Sequence, residues 1–90
     1  MLEDLPLIQS VHLRPNPSSG RFQLEVTLRR PAPVEIRGIR QVGGQVITTQ
    51  QGNGQAVYVW TFDWQVPSGI YLWVVQAEGQ QVTQRFIIQR

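Results

Sequence analysis

The feature that most constrains this chain is the period of its apolar residues, which is two along almost the whole length. In "FQLEVTL", Phe22, Leu24, Val26 and Leu28 fall on one side and Gln23, Glu25 and Thr27 on the other; in "VEIRG", Val34 and Ile36 oppose Glu35 and Arg37. Successive side chains of a strand point to opposite faces, so this alternation marks half-buried strands, whereas a helix needs apolar residues three and four apart. No segment has the helical spacing, and the chain reads as all-β. Two segments carry bulk on both faces. In "AVYVWTFDW", Ala56, Tyr58, Trp60, Phe62 and Trp64 oppose Val57 and Val59; in "IYLWVV", Ile70, Leu72 and Val74 oppose Tyr71, Trp73 and Val75. A two-sided strand is normally central or covered, so these two are expected at the heart of the domain.

Turn residues divide the pattern. Candidate strands run over Ile8 to Leu13, Phe22 to Leu28, Val34 to Ile39, Gln45 to Thr49, Gln55 to Phe62, Gly69 to Ala77 and Gln81 to Gln89. Between them lie Pro15 to Gly20, Arg30 to Pro33, Gly43–Gly44, Asn53–Gly54 and Pro67 to Gly69, with a tight hairpin expected around Gly79. Turn signals at intervals of roughly ten residues are those of a β-sandwich or barrel, here a sandwich of about seven antiparallel strands. The 90 residues form one domain, expected over 8–90, with 1–7 a linker or remnant.

Composition narrows the function. With no cysteine, neither a disulfide nor a thiolate metal site supplements the core, and stability rests on packing. The net charge is +2 and the sequence pI about 9.9, but the arginines are scattered and form no run, which argues against a nucleic-acid partner. No apolar stretch has the roughly 18 to 20 residues needed to span a bilayer as a helix, so the domain is not expected to be membrane-spanning itself.

Catalytic chemistry finds little to work with. The one imidazole, His12, stands in a strand context with no nucleophile and base arranged around it. Glu25, Glu35, Asp63 and Glu78 each fit outward polar positions, and no His, Cys or carboxylate cluster has metal-ligand spacing; Asp63 with turn carbonyls is the one combination open to calcium. Neither Gly43–Gly44 nor the Gly52 to Gly54 run opens a helix, as a phosphate cradle requires. The expectation is a non-enzyme with no catalytic residue, cofactor or resident metal. The aromatic residues are the sharper candidates: Trp60, Trp64 and Tyr58 are the residues with which a carbohydrate-binding module would stack sugar rings, and Trp64 beside Asp63 is the one most open to exposure. Against this, a small domain without cysteine needs large rings for its core.

Three stretches then acquire meaning together. "LRPNPSSGRFQLEV", "RPAPVEIRGIRQVGGQV" and "VPSGIYLWVVQAEGQQVTQRFIIQR" resemble, in order and spacing, the C-terminal sorting domains of proteins exported by the type IX secretion system of Bacteroidetes and their relatives. The motifs of that family are met by Pro15–Asn16–Pro17 with Gly20, by Val34 to Val46 with Gly43, by Pro67–Ser68–Gly69–Ile70–Tyr71, and by Arg85 ahead of Phe86, Ile87 and Ile88. The chain departs from the pattern at Ile39 and Arg40, where an aromatic residue and Asp are usual, at Gly44 in place of Arg, and at Arg85 in place of Lys.

The resemblance implies an immunoglobulin-like sandwich carried behind a larger secreted enzyme or adhesin, and an addressing role. Such a module follows export to the periplasm, directs passage through the outer-membrane translocon with its shuttle proteins, and is commonly removed by a sortase-like cysteine peptidase as the cargo reaches the cell surface. Some relatives are described as cell-attachment modules. Within this reading, Tyr71 resembles a residue that anchors a sandwich corner and Gly69 is expected to supply a permissive backbone. Pro15 and Pro17 hold Asn16 in a preorganised corner. Arg85, Phe86, Ile87, Ile88, Gln89 and Arg90 are expected to carry the signal, and if this strand lies at a sheet edge its unpaired backbone groups can accept a strand from a partner. Phe86 and Ile88 share a face and are expected in the core. The rivals are a glycan-binding module and a purely structural linker domain.

Overall fold

A computed structural model describes residues 5–90. Within them the alternation becomes five strands, β1 (Ile8–Arg14), β2 (Arg21–Arg40), β3 (Val46–Asp63), β4 (Gly69–Ala77) and β5 (Gln80–Ile88), every pair antiparallel. The seven expected segments are present, but Phe22–Leu28 and Val34–Ile39 are both part of β2, and Gln45–Thr49 and Gln55–Phe62 both fall on β3, Gln45 standing just ahead of it. The strand count is therefore five, in one sheet ordered β1-β2-β4-β5 with β3 also on β2. The turn residues between the expected strands bend the extended backbone instead of ending it.

Geometry forces that bend. A straight strand of 20 residues would span about 66 Å, while the longest dimension of the molecule is 43 Å. The register of β2 with β3 slips between Thr27 and Ala32, and Pro31, which has no N–H to give a ladder, sits where β2 is unpaired. The first arm of β2 (21–28) thus lies between β1 and the second arm of β3 (57–63). Its second arm (34–40) lies between the first arm of β3 (46–52) and β4, with β5 outside β4. The buried parity survives the bend: Phe22, Leu24, Val26 and Leu28, then Ala32, Val34 and Ile36, all face inward. The arms close on one another, with the Phe22 ring 4.3 Å from Phe86 and 5.1 Å from Trp64. Each such fully buried side chain is worth roughly 1.5–3 kcal/mol of transfer free energy.

Tyr58 fastens the two bends together. Its hydroxyl accepts from the Gly54 and Gln55 amides at 2.7 and 2.8 Å and donates to the Ala32 carbonyl at 2.7 Å. The ring lies across Gly52, where a Cβ would come within 2.1 Å of it, so only glycine fits beneath.

Of the two strands expected at the centre, β4 is central: it runs between β2 and β5 and buries Tyr71, Trp73, Val74 and Val75. The expectation for "AVYVWTFDW" is corrected. Among the described residues β3 pairs with β2 alone and is an edge along its length, with Val57 and Val59 52% and 51% exposed. These valines reflect the β-branched preference for a pleated surface, not burial.

The chain path sorts the connections to two ends. Residues 15–20, 41–45, 64–68 and 89–90 gather at one, here termed the terminal pole; the bends of β2 and β3 and the Glu78–Gly79 turn lie at the other. At that far end Leu7, placed by the sequence in the linker, is buried, and the Leu7 and Ile8 amides donate to the Gln80 side chain at 2.5 and 3.1 Å. Residues 1–4 of the expected linker lie outside the described residues. The hairpin around Gly79 is present: Glu78 and Gly79, between paired Ala77 and Gln80, have φ of 47° and 83°, the two positive values of a type I′ turn.

Glu78 also receives both terminal nitrogens of Arg30, Nη1 at 3.1 Å and Nη2 closer still. The hydrogen bonds, then the charge, hold the Glu78 carboxyl below its ordinary range, and the same contacts raise Arg30. A depressed carboxyl pKa contributes stability above its unfolded value and loses it as pH falls through the folded value. Glu78→Gln is therefore expected to lower the urea midpoint slightly at pH 7, with the difference from the parent shrinking as pH falls below the ordinary carboxylate range and the carboxyl takes up its proton. Urea titrations of both chains across that range check it.

Candidate functional site

The terminal pole is assembled around Ser18, the one buried polar residue among those described, at 2% exposure. Its hydroxyl accepts from the Gly20 amide at 3.0 Å and donates to the Arg21 carbonyl at 2.8 Å, which closes the corner on itself. Its backbone turns the other way: the Ser18 N–H donates to the Ile87 carbonyl at 2.9 Å and its carbonyl accepts from Gln89 N–H at 2.8 Å. The Asn16 side-chain carbonyl accepts from Ile87 N–H at 3.1 Å. Both prolyl bonds of the corner, Arg14–Pro15 and Asn16–Pro17, are cis.

These contacts correct one expectation. The edge of β5 is closed over its last residues, because the outward backbone groups of Ile87 and Gln89 are taken by Asn16 and Ser18. The Pro-Asn-Pro corner and the last strand, expected as separate recognition elements, are one surface.

The 64–68 connection completes it. Trp64 N–H donates to the Gly20 carbonyl at 2.8 Å, and Arg90 Nη1 donates to the Trp64 carbonyl at 2.9 Å while the Arg90 amide donates to Ser68 Oγ at 2.8 Å. Gly20 has φ of 122°, and a Cβ there would lie 2.6 Å from the Trp64 carbonyl oxygen. Tyr71, fully buried, donates its hydroxyl to the Pro67 carbonyl at 2.6 Å and so anchors this corner. Gly69 has no such duty. Its φ is outside the left-handed region and a Cβ would meet only Tyr71 at 3.7 Å, so the permissive backbone expected of it is not used.

The candidate residues therefore divide by exposure. Gly20, Tyr71, Phe86 and Ile88 are buried and hold the pole together; Phe86 and Ile88 are in the core as the strand parity implies. Pro15, Asn16, Pro17, Gly43, Pro67, Arg85, Gln89 and Arg90 are exposed, and Ile87 and Gly69 are half-buried. Gly43 caps the β2–β3 hairpin with φ of 86° and open space around it. Arg14, Arg21, Arg40, Arg85 and Arg90 lie at or near this end; Glu25 stands 3.9 Å from Arg14 and Asp63 3.5 Å from Arg21. The Asp63 carboxylate, weighed above for calcium, also accepts from the Gln65 amide at 3.0 Å. His12 is exposed and paired across the strands with Glu25.

The aromatic platform is corrected as well. Trp64 is 5% and Trp73 0% exposed, and their rings stack 5.2 Å apart over Gly38, where a Cβ would lie 2.4 Å from Trp64. Tyr58 is 5% exposed with its hydroxyl spent on the bends, and the half-buried Trp60 stacks on it at 5.2 Å. Sequence reasoning missed Ser18, Gly38 and the anchoring side chain of Arg90; a glycine inside a strand was the available sign of close approach at Gly38.

The family model described as secretion system C-terminal sorting domain matches residues 12–89. No curated protein matches the chain.

Two glycines of the recognition motifs are thus expected to behave oppositely. Gly20→Ala, strained and crowded, should cost about 2 kcal/mol or more, whereas Gly69→Ala should change stability by less than about 0.5 kcal/mol. Urea unfolding of the two variants measures both.

Proposed function

The chain belongs to the secretion system C-terminal sorting domains, the sorting signals of type IX secretion, and from that membership we propose that its terminal pole is the surface the export machinery engages. The module is the address of a larger enzyme or adhesin fused ahead of it. After passage into the periplasm, the translocon and its outer-membrane shuttle proteins bind the pole. A sortase-like cysteine peptidase then acts at the junction with the cargo, which reaches the cell surface or the medium. The module itself contributes recognition and no chemistry. We read the folded-over sheet as its version of the immunoglobulin-like sandwich, with the domain beginning near Leu7.

One observation carries this reading: Ser18 hydrogen-bonds the last strand on both sides of Ile88, so motifs far apart in sequence present a single exposed surface. A corner fixed in advance loses little ordering entropy on binding. The surrounding arginines favour an acidic receptor, an attraction screened beyond a Debye length of about 8 Å at physiological salt.

Deleting Arg85 to Arg90 does not test the idea cleanly, since it removes Phe86 and Ile88 from the core and the partners of Ser18. A fusion of residues 1–90 behind a periplasmic fluorescent reporter, compared with the same fusion carrying Arg85→Gln, is the better experiment. Arg85 is exposed, so its replacement should alter stability by less than about 0.5 kcal/mol. The parent fusion is expected at the surface or in the medium only where the translocon is intact, and Arg85→Gln is expected to lower export several-fold. Folded reporter held in the periplasm with an intact translocon would reject the address reading; full export of Arg85→Gln would remove Arg85 from it.

A further inference from the structure

Sheet edges need protection, and the two outer strands β1 and β5 are each tied to another segment at their ends. The start of β1 is tied to β5 through Gln80, and the corner after β1 closes the end of β5 through Asn16 and Ser18. β3 is different. It runs 18 residues as an edge with no proline and no charge before Asp63. Charges, prolines and covering segments are the usual means by which an edge is kept from pairing with another chain, and among the described residues β3 has none of the three before Asp63. Its second arm also presents Val57 and Val59 side by side on the outer face, each about half exposed.

We propose that the second arm of β3, residues Gln55 to Asp63, pairs antiparallel with the same strand of a second copy of this chain. The residue pattern is self-complementary about Val59. A two-fold axis there sets Val59 against itself, Val57 against Thr61 and Gln55 against Asp63 of the second copy, on the outer face. On the inner face it sets Tyr58 against Trp60 and Ala56 against Phe62, and so covers Trp60 and Phe62, which the single chain leaves half-buried. No like charges meet directly. Glu25, paired with Val59, is separated from its counterpart by three strand spacings, about 14 Å, beyond the Debye length of about 8 Å. The first arm is a poorer seam, because Thr49 and Gln51 stand on its outer face where the second arm has two adjacent valines, and its one exposed valine, Val46, is at the strand's start.

The seam is short, so association is expected to be weak, at the low end of the interface size range. Sedimentation equilibrium of the 90-residue chain over a concentration series measures it, beside Val59→Lys and Val59→Thr. Both substitutions are on the exposed outer face, and unchanged melting confirms that each chain folds. The parent and Val59→Thr are expected to dimerise alike, with Val59→Lys at least tenfold weaker. Amide exchange in the parent should slow with concentration within residues 57–61. A chain that stays monomeric at millimolar concentration overturns the proposal, as does a dimer indifferent to Val59→Lys or one whose protection falls on β1 or β5.

Discussion

The seating of Trp64 ties the core of this domain to its exposed end. The indole lies in the aromatic cluster over Gly38, stacked with Trp73 and within 6.1 Å of Phe86. The backbone of the same residue bonds Gly20 and accepts from Arg90. Burial of the ring therefore fixes where the corner, the 64–68 connection and the last residues meet. A strand end without that anchor would leave three loops to be ordered separately, each at its own entropic cost.

The fold-back of β2 supplies the other half of the arrangement. Because the inward parity is kept through the bend, one strand lines both walls of the core, and Tyr58 locks the bend from β3. The bends fall at the far end and the motif-bearing connections at the terminal pole. A rigid scaffold with its connections collected at one end is a common basis for recognition, since binding residues sit on loops that the scaffold positions. The charged pair Arg30–Glu78 and the type I′ turn serve the far end, away from that surface.

Much of this was legible in the sequence, and the physical reason is local. Alternation identifies the strand segments and the inward residues because side-chain direction depends only on the neighbouring backbone; Phe86 and Ile88 were placed correctly by that rule. The Glu78–Gly79 hairpin also follows from nearby residues, whereas the anchoring by Tyr71 came with the family resemblance and the bulk that marked β4 as central marked β3 equally. What was not legible depends on distant ones. Trp64 is buried because Gly38, on another strand, makes room; β3 is an edge because of pairing order, which the bulk of its own residues does not report. Ser18 reads as turn filler until the last strand is beside it, and for that reason the β5 edge looked free. The strand count failed for a related reason, since a proline that breaks pairing need not break extension.

The central claim is that the terminal pole, and not the far end, meets the export machinery. Site-specific photo-crosslinking in cells with a working type IX system tests it most directly, with the photoreactive residue placed in turn at Pro15, Gly43, Pro67 and Arg85, and at Gly54 and Glu78 as the opposite end. The account predicts adducts with translocon or shuttle components from the first four positions and none from the last two. Adducts of equal yield from Gly54 or Glu78, or from those positions alone, would contradict it.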